Sequence, residues 1–335
     1  MRSALGVLIA EHFDPHHNPY WTILRQVGVE GAISKLDRRF EGEWNNSGDR
    51  PWDYTVLYDM KRRYERHELP LLGIEDYPPM DRLRMGLPGR EEELEWVLTL
   101  IRNMGKLDIP MLCYSWMGAI NWVRTELDRP ARGGARVTAF RHREMADEPT
   151  WAGTVPAEQL WAAWEWFMDR AVPVAEKAGV RLALHPDDPP IAEVRGIARI
   201  MNSIESYDRA MAYIESEANA ICLCQGNFTL FCDVPDAIRR YGDRIAFGHF
   251  RDVDGDALDF VETFHDEGRT DKVAAMKAWH EIGFAGPIRP DHVPTLEGES
   301  NDDPAYAWLG RLHAVGYLQG LRAAARHDAA DSEAS

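Results

Sequence analysis

The sequence predicts an α/β protein of the (β/α)8 barrel class, also called a TIM barrel, on three observations. Eight short apolar runs recur along the 335 residues, and most lack the alternation of a half-exposed strand. Longer segments of helical period separate most of the runs. Gly28, Gly179 and Gly283 fall where a helix should end before the next run. Eight strands that alternate with helices in a chain of this length are typical of a closed barrel.

The eight apolar runs are the predicted strands. The first is interpreted as a strand because its apolar stretch spans only about seven residues and ends in charged residues, unlike a signal peptide. The predicted strands are residues 4–10, 31–36, 70–74, 109–114, 180–184, 220–224, 245–248 and 286–290. The predicted helices include 51–65, 90–104, 156–178, 191–201, 234–241 and 270–282. A doubly wound open sheet is the main alternative, but no Gly-rich phosphate loop follows the first run.

No segment of the chain is typical of an interdomain linker. We therefore expect residues 1–327 to form a single barrel domain. Residues 129–150 are polar and rich in Arg, and they follow the fourth predicted strand. This insertion is interpreted either as an active-site lid or as a solvated surface loop. Residues 328–335 are small and polar, which predicts a disordered tail.

Charge and cysteine content exclude several classes of protein. The formal net charge of −17 disfavours nonspecific binding to nucleic acid or to an anionic membrane. No apolar run reaches the roughly 18 residues of a membrane span. Three of the four cysteines are clustered in a long chain, which is not the pattern of a disulfide framework. A reduced cytoplasmic compartment fits this cysteine content best, and the charge does not exclude a small anionic substrate, because a site can be locally positive.

Polar side chains follow four consecutive predicted strands. The fifth strand ends at His185 in RLALHPDDPP, where the prolines prevent the strand from continuing. The sixth ends at Cys224, the seventh at His249 and the eighth at Asp291. A closed barrel brings neighbouring strand ends together at one rim. Imidazole, thiolate and carboxylate groups predict a divalent first-row metal such as Mn, Fe, Co or Zn and exclude a calcium site.

Motifs at these strand ends resemble those of a known family. LALHPDDPP, LCQGN, GHFRDV and IRPDH resemble motifs of the mannonate dehydratase family, metal-dependent barrel enzymes of the xylose isomerase-like group that act in hexuronate breakdown. GIEDYPP, CYSWMGAINWVRTEL and FVETFHDEG resemble further segments of the same family. The resemblance covers nearly the whole chain. It implies a carbon–oxygen lyase that converts D-mannonate to 2-dehydro-3-deoxy-D-gluconate and water, with Mn²⁺ or Fe²⁺.

The resemblance also implies roles for individual residues. His185, Cys224, His249 and Asp291 match the family's metal ligands. His292 matches an acid/base residue directly after the last ligand, and Tyr306 matches a tyrosine that assists it. Which of His292 and Tyr306 is the acid and which the base is left open. A homodimer is the expected assembly, with no nucleic-acid or membrane partner.

Five further residues are candidates for substrate binding. Arg124 and Arg251 are expected to clamp the substrate carboxylate, because guanidinium binds carboxylate in a bidentate manner; the alternative is a structural ion pair at the barrel rim. Asp187 and Asp188 are interpreted as orienting ligands, as binding substrate hydroxyls or as helix caps. Glu75, at the end of the third strand, is a weaker candidate.

Aromatic residues and histidines near the other strand ends have less specific interpretations. Trp116 and Trp122 are expected either to wall the cavity or to belong to the core. His12 and His16, after the first strand, are weaker site candidates, and a surface position is the favoured alternative for both.

Some positions depart from the family pattern. Val293-Pro294 follows the last motif where Gly is expected, and Asp37-Arg38 stands where a histidine pair is expected. The segment after Arg124 also has no clear match. These departures fall on barrel-top loops, which set substrate choice. A sugar isomerase or epimerase on the same barrel, and a non-catalytic barrel that binds a sugar acid, are therefore alternative functions.

Overall fold

The strands form a closed parallel barrel surrounded by helices. The structure, a computed structural model, describes residues 6–40 and 48–333. The barrel strands are β1 (Leu8–Phe13), β2 (Gly31–Ser34), β3 (Leu71–Glu75), β4 (Met111–Ser115), β5 (Arg181–His185), β6 (Asn219–Cys224), β7 (Ile245–Phe250) and β8 (Pro287–Pro290). The helices are α1 (Pro19–Gln26), α2 (Tyr54–Arg66), α3 (Asp81–Met85), α4 (Arg90–Lys106), α5 (Ala157–Ala178), α6 (Ile204–Tyr213), α7 (Gln225–Phe228), α8 (Val234–Tyr241), α9 (Lys272–Glu281) and α10 (Trp308–Glu333).

Each barrel strand pairs with its neighbours in the chain, and β1 closes the barrel by pairing with β8. The β6–β7 register places Cys224 opposite His249, and the β7–β8 register places His249 opposite Arg289. The prediction of a (β/α)8 barrel is therefore confirmed. The carboxyl ends of the strands meet at one rim, as the argument for a metal site requires.

Small apolar side chains fill much of the barrel interior. Ala10, Cys113, Ala183, Ala220 and Cys222 are all buried there. The larger core lies between the strands and the helices and includes the buried Trp21, Trp164 and Trp279. Because both faces of each strand are buried, the strands read as apolar runs without clean alternation.

The helix predicted at residues 191–201 is wrong. Two short antiparallel strands, Glu193–Val194 and Ile197–Ala198, occupy this segment. Arg195 and Gly196, with φ of 51° and 84°, form the turn between them. The helix begins later, at α6, where the Ser203 hydroxyl accepts a hydrogen bond from the Ser206 N–H at 3.2 Å.

The polar insertion contains parts of two strands, a feature that neither the lid nor the surface-loop interpretation anticipated. Glu126–Pro130 and Arg136–Arg141 join Asp259–Glu262 and Val253–Asp256 in a four-stranded antiparallel sheet, here called the outer sheet. Two of its strands lie more than a hundred residues further along the chain. Periodicity within the insertion could not identify these partners.

The C-terminal segment also differs from its prediction. α10 continues through Asp328 to Glu333, where a disordered tail was predicted. The Lys277 ammonium on α9 lies 2.8 Å from the Asp328 carboxylate. This contact between two helices is tertiary and is not visible in the composition of the tail. Residues 334 and 335 lie outside the described residues, and the limits of the predicted single domain stay a prediction.

Candidate metal centre and active-site cavity

Four side chains from consecutive barrel strands converge at the rim. His185, Cys224, His249 and Asp291 each offer one donor atom, and these atoms lie within 4.8 Å of one another. The Cys224 Sγ atom is 4.0 Å from Asp291 Oδ2, and His249 Nδ1 is 3.3 Å from the same oxygen. The structure thus brings together all the side chains that the sequence predicted as metal ligands.

The turn after β5 orients the first of these residues. His185 Nδ1 lies 2.7 Å from the carbonyl oxygen of Pro186, so its N–H donates there and Nε2 keeps its lone pair. Asp187 points away from the cavity. Its carboxylate accepts the Met201 N–H at 2.7 Å, and its own N–H donates to the Met201 carbonyl at 2.9 Å. Asp187 therefore secures the turn that presents His185, and it does not line the cavity.

The electrostatics of the cluster suit a cation. Burial disfavours ionisation of Cys224, but the Arg251 guanidinium and the His185 ring lower the pKa of the thiol to about 5. Burial likewise opposes ionisation of Asp291, yet His292, Arg289 and His249 hold the pKa of that carboxyl well below its usual range. A thiolate and a carboxylate are therefore available at neutral pH.

The chemistry of the donors fits a divalent first-row metal. Both ring nitrogens of His249 are buried and make no well-aligned protein hydrogen bond, although Glu75 and Asp291 oxygens lie 3.2 and 3.3 Å from them, so a cation could take a lone pair here. Two imidazoles, one thiolate and one carboxylate are ligands for borderline metals rather than for Ca²⁺. The residues present are thus suited to hold the metal that the sequence motifs imply.

A second group of donors lies in the barrel interior and shares one member with the first. Cys113, Cys222 and His249 are all buried, with donor atoms within 4.8 Å of one another. Cys222 and Cys224 lie on the same face of β6, two residues apart. One histidine therefore serves both groups, and a variant at each cysteine can distinguish them.

Three of the four candidate metal ligands line a cavity of about 340 Å³. Tyr77, Trp122, His292 and Tyr306 line it together with His185, His249 and Asp291. Its size suits a small polar molecule. Trp116, in contrast, is buried and donates its Nε1–H to the Leu160 carbonyl at 3.2 Å, so it belongs to the core.

His292 faces the cavity because the strand ends before it. β8 stops at Pro290, and the His292 backbone has a φ of 31°, in the left-handed region. This turn allows the adjacent Asp291 and His292 side chains to reach the same space. The His292 ring lies 5.5 Å from the Tyr306 ring and 4.9 Å from the Trp122 ring, measured between centroids.

Glu262, on the outer sheet, orients the His292 ring. Its Oε1 atom lies 2.9 Å from His292 Nδ1. Burial raises the pKa of Glu262, but the Arg251 and Arg124 guanidiniums outweigh burial and lower this pKa to about 2. An ionised carboxylate accepts the Nδ1–H, which leaves Nε2 as the basic atom. The sequence motif FVETFHDEG contains Glu262, but no local signal indicated that the residue contacts His292.

Arg124 and Arg251 are not placed to clamp a substrate. Neither lines the cavity, and both side chains are almost fully buried. Arg124 Nη1 lies 2.6 Å from Asp188 Oδ1, and Arg251 Nη2 lies 2.8 Å from Asp188 Oδ2. Both arginines also pair with Glu262. The expected clamp role is therefore wrong, and the structural ion pair describes both residues.

Asp188 and Glu75 border the cavity but are already engaged. Asp188 accepts from both Arg124 and Arg251, so its carboxylate joins the wall to the buried ion pairs. Glu75 accepts two hydrogen bonds from Arg289, at 2.8 and 2.7 Å. Burial raises the pKa of Glu75, but Arg289 and His249 together hold this pKa well below its usual range.

Three basic residues, His12, Lys35 and Arg289, also border the cavity. For His12 a surface position was the favoured interpretation and a site role the weaker one, but the residue is 7% exposed and borders the cavity. Lys35 and Arg289 were not expected from the sequence. Lys35 directly follows β2, and His12 and Arg289 are the penultimate residues of β1 and β8, so a place near a strand end was the only local signal. His16 lies at the rim, with Nε2 3.0 Å from the Asp37 carboxylate.

Comparison with known proteins identifies the family. The family model described as D-mannonate dehydratase (UxuA) matches residues 17–153 and 151–332. The chain belongs to this family. Mannonate dehydratase 1 of Bacillus licheniformis is 30% identical over 335 residues, which cover 89% of each chain. Mannonate dehydratase 1 of Halalkalibacterium halodurans is 29% identical, with 89% of this chain and 90% of the relative covered.

Solved structures agree with the D-mannonate dehydratase assignment. The mannonate dehydratase of Streptococcus suis serotype 2 matches with a TM-score of 0.88 and 28% identity, over 97% of this chain and 95% of that one. A xylose isomerase domain protein from Planctomyces limnophilus matches with a TM-score of 0.60 at 11% identity over 97% and 99% of the two chains, which shows the shared barrel fold alone. The predicted family, the xylose isomerase-like fold and the assignment as an enzyme of the hydro-lyase class are thus confirmed.

Proposed function

We propose that this enzyme removes water from D-mannonate to give 2-dehydro-3-deoxy-D-gluconate, with Mn²⁺ or Fe²⁺ held by His185, Cys224, His249 and Asp291. The observation that carries the proposal is the shared cavity of about 340 Å³. His185, His249 and Asp291 line this cavity together with His292 and Tyr306, and the Cys224 donor atom lies within 4.8 Å of theirs. Membership in the D-mannonate dehydratase family supports the substrate.

The reaction must break two bonds. The C2–H bond gives up its proton to a base, and the electron pair forms the C2–C3 double bond as the C3 hydroxyl leaves. The leaving hydroxyl takes a proton and departs as water. The enol that remains tautomerises to the 2-keto acid. When bound, the divalent metal stabilises the negative charge that develops on the substrate.

His292 is the base for the C2 proton in this proposal. Its Nδ1–H is held by the ionised Glu262 carboxylate at 2.9 Å, which leaves the Nε2 lone pair for the substrate. Glu262 also stabilises the imidazolium that forms after proton transfer. The buried Arg124 and Arg251 keep Glu262 ionised, so these arginines act through Glu262 and not on the substrate.

The phenol of Tyr306 donates a proton to the leaving C3 hydroxyl in this proposal. Burial, together with the Asp291 charge, raises the pKa of Tyr306 above its ordinary value, so the phenol stays protonated. Its ring lies beside His292 and forms part of the same cavity wall. A proton donor and a proton acceptor therefore border one small space, as a dehydration requires.

The cellular setting follows from the proposed reaction. No helix among the described residues has the length and apolar character needed to cross a membrane. The substrate is a small anionic sugar acid, and the route is hexuronate catabolism. The cytoplasmic location and the homodimer stay predictions.

A direct assay tests the reaction. Purified protein, stripped of metal and reloaded with Mn²⁺ or Fe²⁺, is incubated with D-mannonate, and the 2-keto-3-deoxy product is measured. Metal-dependent formation of this product is expected. Interconversion of sugars without a 2-keto-3-deoxy product would establish an epimerase or isomerase instead. Binding of an aldonate without turnover of any member of an aldonate panel would establish a sugar-acid-binding protein.

A further inference from the structure

A second cavity adjoins the one at the metal centre. It has a volume of about 390 Å³ and shares His12, Lys35, Asp303 and Tyr306 with the first. The shared residues form a junction between the two cavities. A substrate that reaches the metal centre from the second cavity must pass this junction.

The lining of the first cavity is strongly acidic. Carboxylates of Glu75, Asp76, Asp188, Asp291 and Asp303 border it. An anionic substrate therefore needs a positive group for its own carboxylate, apart from the metal. Because Arg124 and Arg251 are not placed to bind the substrate carboxylate, another positive residue is needed for this role.

The two arginines that border the cavities are already occupied. Arg289 donates to both Glu75 oxygens and to the Pro290 carbonyl, and it lies 3.1 Å from Asp291. Arg311 donates to the carbonyls of His12 and Tyr306, at 2.8 and 3.1 Å. Both guanidiniums therefore serve the protein's own acceptors.

Lys35 differs from these arginines. It directly follows β2 at the carboxyl-end rim, and it borders both cavities. Among the cationic side chains that border these cavities within residues 6–40 and 48–333, Lys35 is the one without a carboxylate at hydrogen-bond distance. Its ammonium is 4.0 Å from Asp14 Oδ1, and the two side chains are 47% and 60% exposed. Such a pair contributes little and yields readily to a competing anion.

We propose that Lys35 is the binding group for the carboxylate of the substrate at the junction of the two cavities. The proposal rests on the proposed function, in which the substrate is a sugar acid. An ammonium on a flexible stem can follow a carboxylate that moves between the cavities. The hydroxyl-bearing carbons then extend toward the metal centre and His292. Lys35 thus selects sugar acids over uncharged sugars of the same length.

His12, on the neighbouring strand β1, also borders the junction. Its Nε2 atom is buried and has no protein partner. Burial chiefly, with Arg289 and Lys35 contributing, lowers the pKa of His12 well below its ordinary value. The ring is therefore neutral and can exchange a hydrogen bond with a substrate hydroxyl or carboxylate without adding charge.

Lys35→Met tests the proposal because it removes the charge and keeps most of the stem, whereas Lys35→Arg keeps the charge. Lys277→Met is the matched control, since Lys277 is 46% exposed and ion-paired with Asp328 on the helical surface. Binding to the Mn²⁺-loaded proteins is measured by calorimetry for D-mannonate, a panel of other aldonates and the uncharged D-mannitol. Turnover of D-mannonate is measured in parallel.

Lys35→Met is expected to weaken aldonate binding by at least about tenfold, the effect of one charge-assisted hydrogen bond. The binding of D-mannitol should stay unchanged, Lys35→Arg should restore much of the aldonate affinity, and Lys277→Met should match the wild type. The expected effect on D-mannonate turnover is a raised KM with a smaller change in kcat.

The outcomes separate this proposal from the proposed function. Equal aldonate affinity in Lys35→Met and the wild type overturns the role of Lys35 while the dehydratase reaction stands. An equal loss of affinity for D-mannitol and D-mannonate also overturns it, because Lys35 then affects the shape of the cavity and does not recognise the charge of the substrate. If the wild type does not turn over D-mannonate but binds another aldonate through Lys35, the function fails and this proposal stands. If no aldonate binds the wild type, both are overturned.

Discussion

The Nδ1 atom of His292 lies 2.9 Å from Oε1 of Glu262, and this contact joins the barrel rim to the outer sheet. Arg124 and Arg251 hold Glu262 ionised from behind the cavity wall. Asp188 completes the network by pairing with both arginines. The ionised Glu262 carboxylate, at 2.9 Å, favours the proton on His292 Nδ1, while the Arg124 Nη2 atom lies 3.2 Å from the same nitrogen.

The first prediction concerns His292. His292→Asn should abolish turnover, since asparagine cannot accept a proton at this position, while the bound metal remains. Glu262→Gln should lower kcat by at least about tenfold with a smaller change in KM, because the ring loses its charged acceptor. Turnover is measured per mole of metal-loaded protein, with metal content and thermal midpoint as controls. Wild-type activity in His292→Asn would remove this residue from the chemistry.

The second prediction concerns the two cysteines of β6. Cys224→Ala should strongly weaken metal binding, because it removes the thiolate from the four donors. Cys222→Ala is the matched control on the same strand and face. Metal content after dialysis, measured by atomic emission, should fall in Cys224→Ala and stay near the wild-type value in Cys222→Ala. The reverse result would place the ion in the second group, with Cys113 and Cys222.

The third prediction is a pH dependence of stability. Arg251 and Arg124 outweigh burial and lower the pKa of Glu262 from 4.5 to about 2 in the folded state. Because the folded-state pKa is below the unfolded one, the ionised carboxylate stabilises the fold above pH 4.5, and this contribution is lost as the pH falls toward 2. The difference corresponds to roughly 3 kcal/mol.

Urea unfolding of the wild type and Glu262→Gln measures this contribution. The gap between the two free energies of unfolding should be largest near pH 7 and should shrink steadily below pH 4.5. A gap that is independent of pH would show that the glutamine acts by altered packing.

The fourth prediction concerns the backbone behind the metal centre. A Cβ atom at Gly226, in α7, would lie 2.7 Å from Arg251 Nη1 and 2.8 Å from Arg251 Cγ. Gly226→Ala should displace the buried guanidinium and lower the free energy of unfolding by about 2 kcal/mol or more. The kcat should also fall, since Arg251 supports Glu262.

Gly316→Ala on α10 is the matched control for Gly226→Ala. Gly316 has nothing within 4 Å of the added Cβ, and its alanine should raise helix stability slightly. Thermal unfolding and turnover of the two variants distinguish steric displacement of Arg251 from a general effect of the substitution. Equal stability in the two variants would contradict the close approach at Gly226.

The amino-acid sequence by itself determined the barrel, its eight strands and the four metal-binding candidates. Apolar runs, glycines and the HPDDPP turn are local patterns. Because the strands of a (β/α)8 barrel are parallel, the carboxyl end of each one lies at the same rim. The sequence also indicated how the adjacent Asp291 and His292 could both face the cavity, because the strand ends at Pro290. These features depend on residues close together in the chain.

Only the tertiary structure decided what the charged residues near the rim do. Arg124 and Arg251 were expected to bind substrate, but Asp188 and Glu262 neutralise them. Arg124 and Glu262 lie 138 residues apart in the chain. A guanidinium binds whichever carboxylate the fold brings nearest, and local sequence does not specify that partner. Lys35 is only weakly paired beside the acidic cavity, because its ammonium lies 4.0 Å from the Asp14 carboxylate and both side chains are exposed. No pattern in the sequence singled out this residue.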